Sequence, residues 1–393
     1  VSAGAYDDFA IADSIDEGEA RISVPVDLFT CDDCLSELRD ATDRRYRYPF
    51  INCTQCGPRY TLIRKMPYDR RNTTMAGFEL CKDCETEYGN PEDRRFHAEP
   101  IACPVCGPVL RYVSKSGESV TGNEPALSGA LAALSKGKII AVKGIGGYHL
   151  MCDAGHALAV NNIRRNKPRP DKPLAVMFPA PVENPFRYLD MAVALSTEQK
   201  SLLSSPNRPV LLATRKDYDD LSCQIAPGLA ELGVMLPYSP LHHLLLDGFG
   251  GALVATSANI SGEPVLTDSS DIEQRLAHVA DAFLHNNRPI ERHADDSVFR
   301  SIAGKPRPLR LGRGYSPVEF DLSFALDDAV LAVGAQMKNT ITVAWDKRAV
   351  MSPHIGEMDS PRSLEVFERC IDDLQHLYGV EIKQIVCDTH PGY

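Results

Sequence analysis

The sequence predicts an α/β protein in which two small four-cysteine units precede a twisted α/β domain and a further segment of strand, glycine turn and strand. Three observations lead to this prediction. Four Cys-x-x-Cys pairs occur within the first 106 residues, helix and strand patterns alternate from about residue 124 to 317, and Val330–Thr340 reads as strand, glycine turn, strand. With 393 residues, 44% of them hydrophobic, the chain is long enough for two to four domains.

Composition and charge argue against several classes of protein. A net charge of −11 is unsuited to a protein built mainly to coat nucleic acid. Every apolar run is shorter than a bilayer span and Tyr6–Glu19 is too acidic for a signal peptide, so we expect a cytoplasmic protein. Eight of the twelve cysteines fall in metal-type pairs. We expect the other four to be reduced, non-catalytic thiols: Cys152, Cys223, Cys370 and Cys387.

The cysteine pairs form a tandem repeat with an offset of 50 residues. Asp43–Tyr46 recurs as Asp93–Phe96, and Gly57-Pro58 recurs as Gly107-Pro108. The paired cysteines of the first unit are Cys31, Cys34, Cys53 and Cys56, and those of the second unit are Cys81, Cys84, Cys103 and Cys106.

Two thiolate pairs can close a tetrahedral four-sulfur site, the arrangement of structural zinc. Disulfides or redox chemistry are the alternatives, but the spacing and an intracellular setting favour two structural zinc sites. Gly57 and Gly107 are expected to take a positive φ and direct N–H groups at sulfur. His97 is not expected to be a ligand, because its counterpart in the first unit is Arg47. We expect the two units to fold separately from the rest of the chain, with metal binding supplying much of their stability.

Between the cysteine pairs lies a basic, aromatic stretch that begins with Arg44-Arg45-Tyr46-Arg47-Tyr48. One interpretation is a surface for RNA or an acidic partner. The other is a solvated face, because acidic residues alternate with the basic ones.

From about Glu124 to Pro317 the pattern predicts one twisted α/β domain that follows a polar linker at Ser114–Asn123. The glycine-rich loop Gly144–Gly147 fits neither a P-loop nor the GxGxxG frame, which leaves a tight turn and a ligand contact as alternatives. The predicted helices are Ala126–Leu134, Ala192–Leu203 and Asp271–Phe283. The predicted strands are Lys138–Lys143, Leu174–Phe178, Pro209–Thr214, Leu253–Thr256 and Val298–Ile302.

Three loops of this domain combine groups that bind phosphate and sugar. Asn166–Leu174 (NKPRPDKPL) is cationic and stiffened by proline, and Thr256–Pro264 (TSANISGEP) carries hydroxyl and amide groups. Leu309–Tyr315 (LRLGRGY) places Arg310 and Arg313 around glycines. Each loop alone is consistent with a surface turn, but together they indicate an anion-binding site.

Two of these loops resemble the signature of the YrdC-like family, through Lys167-x-Arg169-Pro170-x-Lys172-Pro173-Leu174 and Ser257-Ala-Asn259. The resemblance implies a twisted α/β fold with a concave basic cavity that forms an acyl-type adenylate from ATP with Mg. It implies Lys167 and Arg169 as catalytic cations. Contacts to nucleotide or substrate are expected from Lys143, Lys167, Arg169, Lys172, Ser257, Asn259, Arg310 and Arg313.

The order of segments from about Tyr6 to Tyr393 resembles the HypF family of hydrogenase maturation carbamoyltransferases. By this resemblance residues 1–25 are a linker after an acylphosphatase domain that the chain lacks, and residues 26–115 are the tandem zinc units. Residues 124–317 are the YrdC-like, carbamoyl-adenylate-forming domain, and residues 326–393 are the truncated start of an actin-like (ATPase-type) carbamoyl-transfer domain. We therefore expect the chain to be part of a longer protein.

In the tail, the loop Ser352–Met358 (SPHIGEM) leaves two alternatives for His354: a contact to substrate, or a satisfied loop histidine. The closing segment Asp388–Tyr393 resembles the one that precedes the metal-binding histidines of the actin-like domain. His390 alone makes no metal site.

The HypF resemblance implies a sequence of reactions. Carbamoyl phosphate is hydrolysed to carbamate, carbamate attacks the α-phosphate of ATP, and the products are carbamoyl-adenylate and pyrophosphate. The carbamoyl group then passes to the C-terminal cysteine of HypE on its way to the cyanide ligands of nickel–iron hydrogenase. Without the acylphosphatase domain, we expect the chain to adenylate carbamate but to make little use of carbamoyl phosphate.

Two other functions stay open. A threonylcarbamoyl-adenylate synthase of tRNA modification shares the YrdC-like signature, although the tandem zinc units and the tail argue against it. A non-catalytic module that binds double-stranded RNA weakly, through the zinc units and the basic cavity, is the second.

Overall fold

The structure is a computed structural model that describes residues 23–167 and 172–390. Its α-helices in these ranges are α1 Asp32–Arg39, α2 Lys82–Gly89, α3 Asn123–Ser135, α4 Ala157–Asn166, α5 Leu189–Ala192, α6 Thr197–Ser204, α7 Pro240–Phe249, α8 Ser269–Leu276 and α9 Pro361–Tyr378. None of the helices in the described ranges has the length and apolar character that a membrane crossing requires. The strands are β1 Leu110–Ser114, β2 Ser119–Thr121, β3 Ile140–Lys143, β4 Tyr148–Asp153, β5 Val176–Met177, β6 Val193–Ala194, β7 Val210–Arg215, β8 Glu231–Met235, β9 Leu253–Ser257, β10 Ala282–Asn286, β11 Val298–Ile302, β12 Lys305–Arg310, β13 Val318–Ala332, β14 Thr342–Met351 and β15 Gln384–Val386.

The two four-cysteine units share one local structure, as their repeated sequence predicts. Helix α1 begins after Cys31 and α2 begins after Cys81, so the second cysteine of each pair lies in the first helical turn. The partial positive charge of a helix N-terminus favours a thiolate at this place. Arg47 (φ 54°) and His97 (φ 48°), which are equivalent in the repeat, take the same left-handed conformation.

The glycines that follow the second pair of each unit differ. Gly57 has a φ of 92°, which confirms the prediction of a left-handed turn. The same prediction is wrong for Gly107, which is absent from the positive-φ glycines of the described chain. Close contact explains Gly107 instead, since a Cβ atom there would lie 2.0 Å from the hydroxyl oxygen of Tyr48.

The first unit is not a separate folding body. Its Tyr48 and Phe50 belong to one contiguous core with Val142 of β3 and Leu244 of α7. The second unit has a small core of its own around Ile101. The prediction that both units fold separately is therefore wrong for the first unit, which lacks enough apolar surface to close a core without the sheet beneath it.

The large sheet has the strand order β12-β11-β7-β8-β5-β9-β4-β3-β10-β1-β2, with β6 beside β7. The pairs β7–β11, β5–β8 and β3–β10 are parallel and the other neighbours are antiparallel, so the sheet is mixed. Alternate residues along β3 and at its start enter two different cores: Ile140 and Val142 pack with α3 and α7, whereas Ala141 and Ile139, which precedes the strand, pack with α4, α6 and α8. The sheet is thus covered by helices on both faces, as predicted for an α/β domain.

The predicted helix at Ala126–Leu134 and all five predicted strands overlap observed elements. The helix predicted at Asp271–Phe283 ends at Leu276, and β10 follows it. A continuous apolar run around β10 has no period that separates a buried strand from a helix, which explains this error. The predicted helix Ala192–Leu203 is confirmed only from Thr197. The predicted linker at Ser114–Asn123 is also wrong, because β1 and β2 form a hairpin at the sheet edge.

Strands β13–β15 and helix α9 form a C-terminal unit. The turn between β13 and β14 contains Gly334 with a φ of 73°, which confirms the predicted strand, glycine turn, strand pattern. Buried residues of α9, such as Leu374, pack in one core with Tyr60 and Ile63 of the first four-cysteine unit. The first unit therefore contacts both the large sheet and the C-terminal unit.

Candidate functional site

The eight paired cysteines meet in two four-sulfur clusters, as the repeat predicts, and His97 belongs to neither. Sγ–Sγ distances are 3.6 to 3.8 Å in the first cluster and 3.6 and 3.7 Å in the second. Four sulfurs bound tetrahedrally to zinc at about 2.3 Å would lie about 3.8 Å apart. All twelve cysteines lie in the described ranges and are free thiols. Each cluster therefore has the donors and the spacing to hold one metal ion.

One arginine of the basic stretch in each unit is buried between the two units, whereas Arg44 and Tyr46 remain exposed. Arg45 and its counterpart Arg95 are only 1% and 4% exposed. Each guanidinium pairs with a glutamate of the other unit, Arg45 with Glu87 and Arg95 with Glu37. These arginines are thus neither a solvated face nor a surface presented to a ligand.

A cavity of about 310 Å³ lies between the large sheet and the C-terminal unit. All three loops that the sequence analysis singled out reach it: Lys167 and Lys172 from the first, Ser257 and Asn259 from the second, and Arg310 from the third. Strands β7 and β11 add an apolar wall that includes Val210, Leu212 and Val298. A cavity with one apolar wall and converging cationic and amide groups suits a nucleotide-sized anion.

Lys167 is hydrogen-bonded to the serine–asparagine loop. Its side-chain ammonium is buried and donates to the carbonyl of Ser257 and to Asn259 Oδ1, the latter at 2.7 Å. The Ser257 hydroxyl donates to the same asparagine oxygen at 2.9 Å, and Asn259 Nδ2 donates to the carbonyl of Glu263. These bonds hold the lysine charge in the cavity wall, where it is preorganised for an anion.

Arg310 is positioned by the two aspartates that precede β11. Its Nη1 lies 2.9 Å from Asp295 Oδ2, and its Nε donates to the carbonyl of Asp296 at 2.9 Å. Asp296 is itself held by Arg313 Nε and His149 Nε2, each 2.9 Å from its carboxylate. Asp295 and Asp296 are not among the site residues predicted from the sequence, although two adjacent aspartates just before a strand are a visible signal.

The aspartates contribute charge that their partners offset. Burial alone would raise the pKa of Asp296, but Arg313 and His149 lower it well below its usual range. Burial is likewise outweighed at Asp295, whose pKa is lowered by Arg310 and His354. The third acid of the wall, Glu263, pairs with Arg275 at 2.7 Å. With these three acids paired, the other charged groups of the lining are Glu357 and three lysines (Lys167, Lys172 and Lys338), so the cavity is left with a net positive charge.

The C-terminal unit completes the cavity with Lys338, His354 and Glu357. His354 Nδ1 lies 3.9 Å from Asp295 Oδ2, and burial followed by the charge of Arg310 lowers its pKa to about 4. The loop is fixed by bonds from the His354 amide to the Leu311 carbonyl and from the Glu357 amide to the Gly262 carbonyl. Of the two alternatives for His354, its place in the lining favours contact with a ligand.

Two described residues of the predicted nucleotide set, Lys143 and Arg313, do not line this cavity. Lys143 lines a separate small cavity beside the first four-cysteine unit, where its ammonium donates to the Asn286 carbonyl. Burial and the nearby Arg288 lower the pKa of Lys143 to about 8. Arg313 is 1% exposed and its guanidinium lies 3.4 Å from the ring centre of Tyr238, which makes it a structural residue. Arg169 lies outside the described residues.

Family profiles match most of the chain. The profile described as "HypF finger" matches residues 30–63 and 80–113, and the Sua5/YciO/YrdC profile, described as "Telomere recombination", matches residues 132–312. The profile "HypF Kae1-like domain" matches residues 325–393. Carbamoyltransferase HypF of Synechocystis is 47% identical over 388 residues, which cover 99% of this chain and 50% of that protein. The chain belongs to the HypF family.

Other HypF proteins agree with this assignment. Carbamoyltransferase HypF of Rhodobacter capsulatus is 42% identical and is matched over 100% of this chain and 52% of its own length. A crystal structure of full-length HypF in a phosphate- and nucleotide-bound form is 42% identical with a TM-score of 0.88, and covers 94% of this chain and 47% of that chain. The chain spans about half the length of the curated HypF relatives it matches.

A second group of relatives is more distant. The threonylcarbamoyl-AMP synthase of Stenotrophomonas maltophilia is 28% identical over 188 residues, which cover 45% of this chain and 99% of that protein. The matches to the HypF relatives extend in addition over the regions of the four-cysteine units and the C-terminal unit, since they cover 99% and 100% of this chain.

Proposed function

We propose that the cavity around Lys167 binds ATP with Mg and couples it to carbamate, giving carbamoyl-adenylate and pyrophosphate. The observation that carries this proposal is the convergence of Lys167, Lys172 and Arg310 with the Ser257–Asn259 loop on one cavity. The high identity to carbamoyltransferases named HypF supports the carbamoyl group as the one transferred.

The proposed step is a substitution at phosphorus. A carbamate oxygen forms a bond to the α-phosphorus of ATP, the bond from that phosphorus to the bridging oxygen breaks, and pyrophosphate leaves with the electron pair. Negative charge builds up on the phosphoryl oxygens and on the leaving group, and fixed cations at 2.7–3.1 Å from those oxygens lower the barrier. We assign this work to Lys167 and Arg310, with Arg169 as a further cation from the same loop as Lys167.

The neutral groups of the wall have a separate role in this proposal. Ser257 and Asn259 position the nucleotide or carbamate, and the apolar wall at Val210, Leu212 and Val298 accepts the adenine ring. The loop that carries His354 closes the cavity from the side of the C-terminal unit, which limits the water that reaches carbamate.

We further propose that carbamoyl-adenylate is consumed in transfer to the C-terminal cysteine of HypE during synthesis of the cyanide ligands of nickel–iron hydrogenase. Carbamoyl phosphate is the source of the carbamate in the whole protein. Zinc is the metal we assign to the two four-cysteine clusters, because four thiolates at this spacing form a closed structural site with no position left for substrate.

Isotope exchange between pyrophosphate and ATP tests the proposal. Carbamate formed in ammonium bicarbonate solution is expected to support exchange, and threonine with bicarbonate is expected to add nothing to the rate without ammonium. Exchange that depends on threonine would contradict the carbamoyl assignment and favour a threonylcarbamoyl-adenylate synthase. Absence of exchange with either substrate, together with salt-dependent binding of double-stranded RNA, would favour the RNA-binding alternative.

A further inference from the structure

We infer that each metal cluster is stabilised by arginines from the other four-cysteine unit, so that each cluster depends on residues of the opposite unit to hold its metal. The inference rests on the proposed binding of metal at both clusters but is independent of the carbamoyl chemistry. The sequence repeat alone does not distinguish contacts within a unit from contacts between units.

Arginines of the first unit contact the second cluster. Arg44 Nη2 lies 3.2 Å from Cys84 Sγ, and its Nε lies 3.1 Å from Glu87 Oε1. Arg45 Nη2 lies 3.5 Å from the same sulfur, and its Nε donates to the carbonyl of Ala102 at 2.9 Å. Both guanidinium groups also pair with Glu87 through its Oε2.

Arginines of the second unit contact the first cluster in the same way. Arg94 Nη2 lies 3.3 Å from Cys34 Sγ, and its Nε lies 2.9 Å from Glu37 Oε1. Arg95 donates to the carbonyl of Asn52 at 3.1 Å and pairs with Glu37. The contacts that Arg44 and Arg45 make are therefore repeated by Arg94 and Arg95, 50 residues later. The one exception among the contacts described is that of Arg45 with sulfur.

Charge explains why these contacts matter. A zinc ion with four thiolates carries a net charge of −2, and hydrogen bonds from cations to the sulfurs compensate it. Two arginines and one glutamate together supply +1 beside each cluster, and this charge comes from both units. Arg45 and Arg95, which pair with Glu87 and Glu37, are 1% and 4% exposed, so these ion pairs keep most water away from this side of the clusters.

The test resolves metal release cysteine by cysteine. The zinc-loaded chain is exposed to a chelator and N-ethylmaleimide, and peptide mass spectrometry follows alkylation at each thiol. Arg94→Gln is expected to speed alkylation of the first cluster about tenfold or more and to affect the second cluster less. Arg44→Gln is expected to give the reverse pattern.

The control is Arg47→Gln, because Arg47 pairs with Glu124 at the surface and has no contact with sulfur among the described hydrogen bonds. It is expected to release metal at the parent rate. Acceleration within the substituted unit, equal acceleration of both clusters, or no acceleration would overturn the inference. If a glutamine variant does not fold, Arg94→Lys and Arg44→Lys are expected to show the same cross pattern with a smaller change. A parent chain without bound metal would contradict the zinc assignment itself, which separates the two failures.

Discussion

Lys167 and Asn259 are 92 residues apart in the chain, yet the lysine Nζ lies 2.7 Å from the asparagine Oδ1 in the wall of the cavity. This bond joins the cationic loop after α4 to the loop after β9. The bond brings two loops that are separate motifs in the sequence together at one anion site. The proposed reaction depends on that site.

Replacing the lysine is expected to remove most of the activity. Lys167→Ala should lower carbamate-dependent exchange of pyrophosphate into ATP by about 100-fold or more, because a preorganised charge at the phosphoryl group is lost. Lys200→Ala is the matched control, since Lys200 forms a surface ion pair with Asp190 at 2.7 Å. Exchange that survives in the Lys167 variant, or falls equally in the control, would argue against the assigned role.

The ion pair of Asp296 with Arg313 is expected to stabilise the fold strongly. Asp296→Asn should lower the free energy of unfolding in urea by about 3–5 kcal/mol, because it leaves the buried Arg313 charge uncompensated. The control Glu231→Gln breaks a more exposed pair with Arg300 and should cost less than about 1 kcal/mol. Equal losses in both variants would contradict this reading of the buried pair.

Acid should destabilise the chain partly through His354. Burial and Arg310 lower the pKa of His354 to about 4 from an ordinary value of 6.5. As pH falls below 6.5 the unfolded chain binds a proton that the folded chain does not bind until about pH 4, so stability decreases across this interval and is unaffected above it. His354→Gln should remove on the order of 3 kcal/mol of that pH dependence in urea unfolding, whereas the exposed His278→Gln should not. Parallel curves for His354→Gln and the parent would contradict the prediction.

Loss of metal should affect the two halves of the repeat differently. Cys53→Ser removes a ligand whose unit shares a core with the large sheet, and Cys103→Ser removes the equivalent ligand from the unit with its own small core. The first variant is expected to lower the main thermal midpoint by at least about 5 °C more than the second. Circular dichroism and zinc content measured on the same samples check this, and the opposite order would show that the shared core does not depend on the metal.

The sequence was most informative where chemistry and spacing coincide. The two clusters follow from cysteine spacing, because four sulfurs around one ion impose a geometry that leaves few alternatives. The cavity loops followed from the residues around Lys167, Ser257 and Arg310, whose types match phosphate recognition. Several helices and strands of the α/β domain followed from periodicity, but the predictions failed at β10, where a continuous apolar run carries no period, at the start of Ala192–Leu203 and at Ser114–Asn123.

Relations between distant parts of the chain were not predictable in the same way. Arg44 and Arg94 each contact the cluster of the opposite unit. Predicting these contacts would require the relative orientation of the two repeats, which the sequence does not give. Likewise, Lys338 and His354 reach the cavity only because the C-terminal unit packs against the loop that contains Gly262. Lys143 and Arg313 are cations near the expected loops in sequence, but their side chains point into other parts of the fold.

A crystal of the chain soaked with ATP, Mg and a carbamate source would show directly whether the nucleotide binds in the cavity around Lys167. We expect electron density for the phosphates within hydrogen-bonding distance of Lys167 Nζ and the Arg310 guanidinium, with adenine against the apolar wall of β7 and β11. Nucleotide bound elsewhere, with this cavity empty, would contradict the proposal.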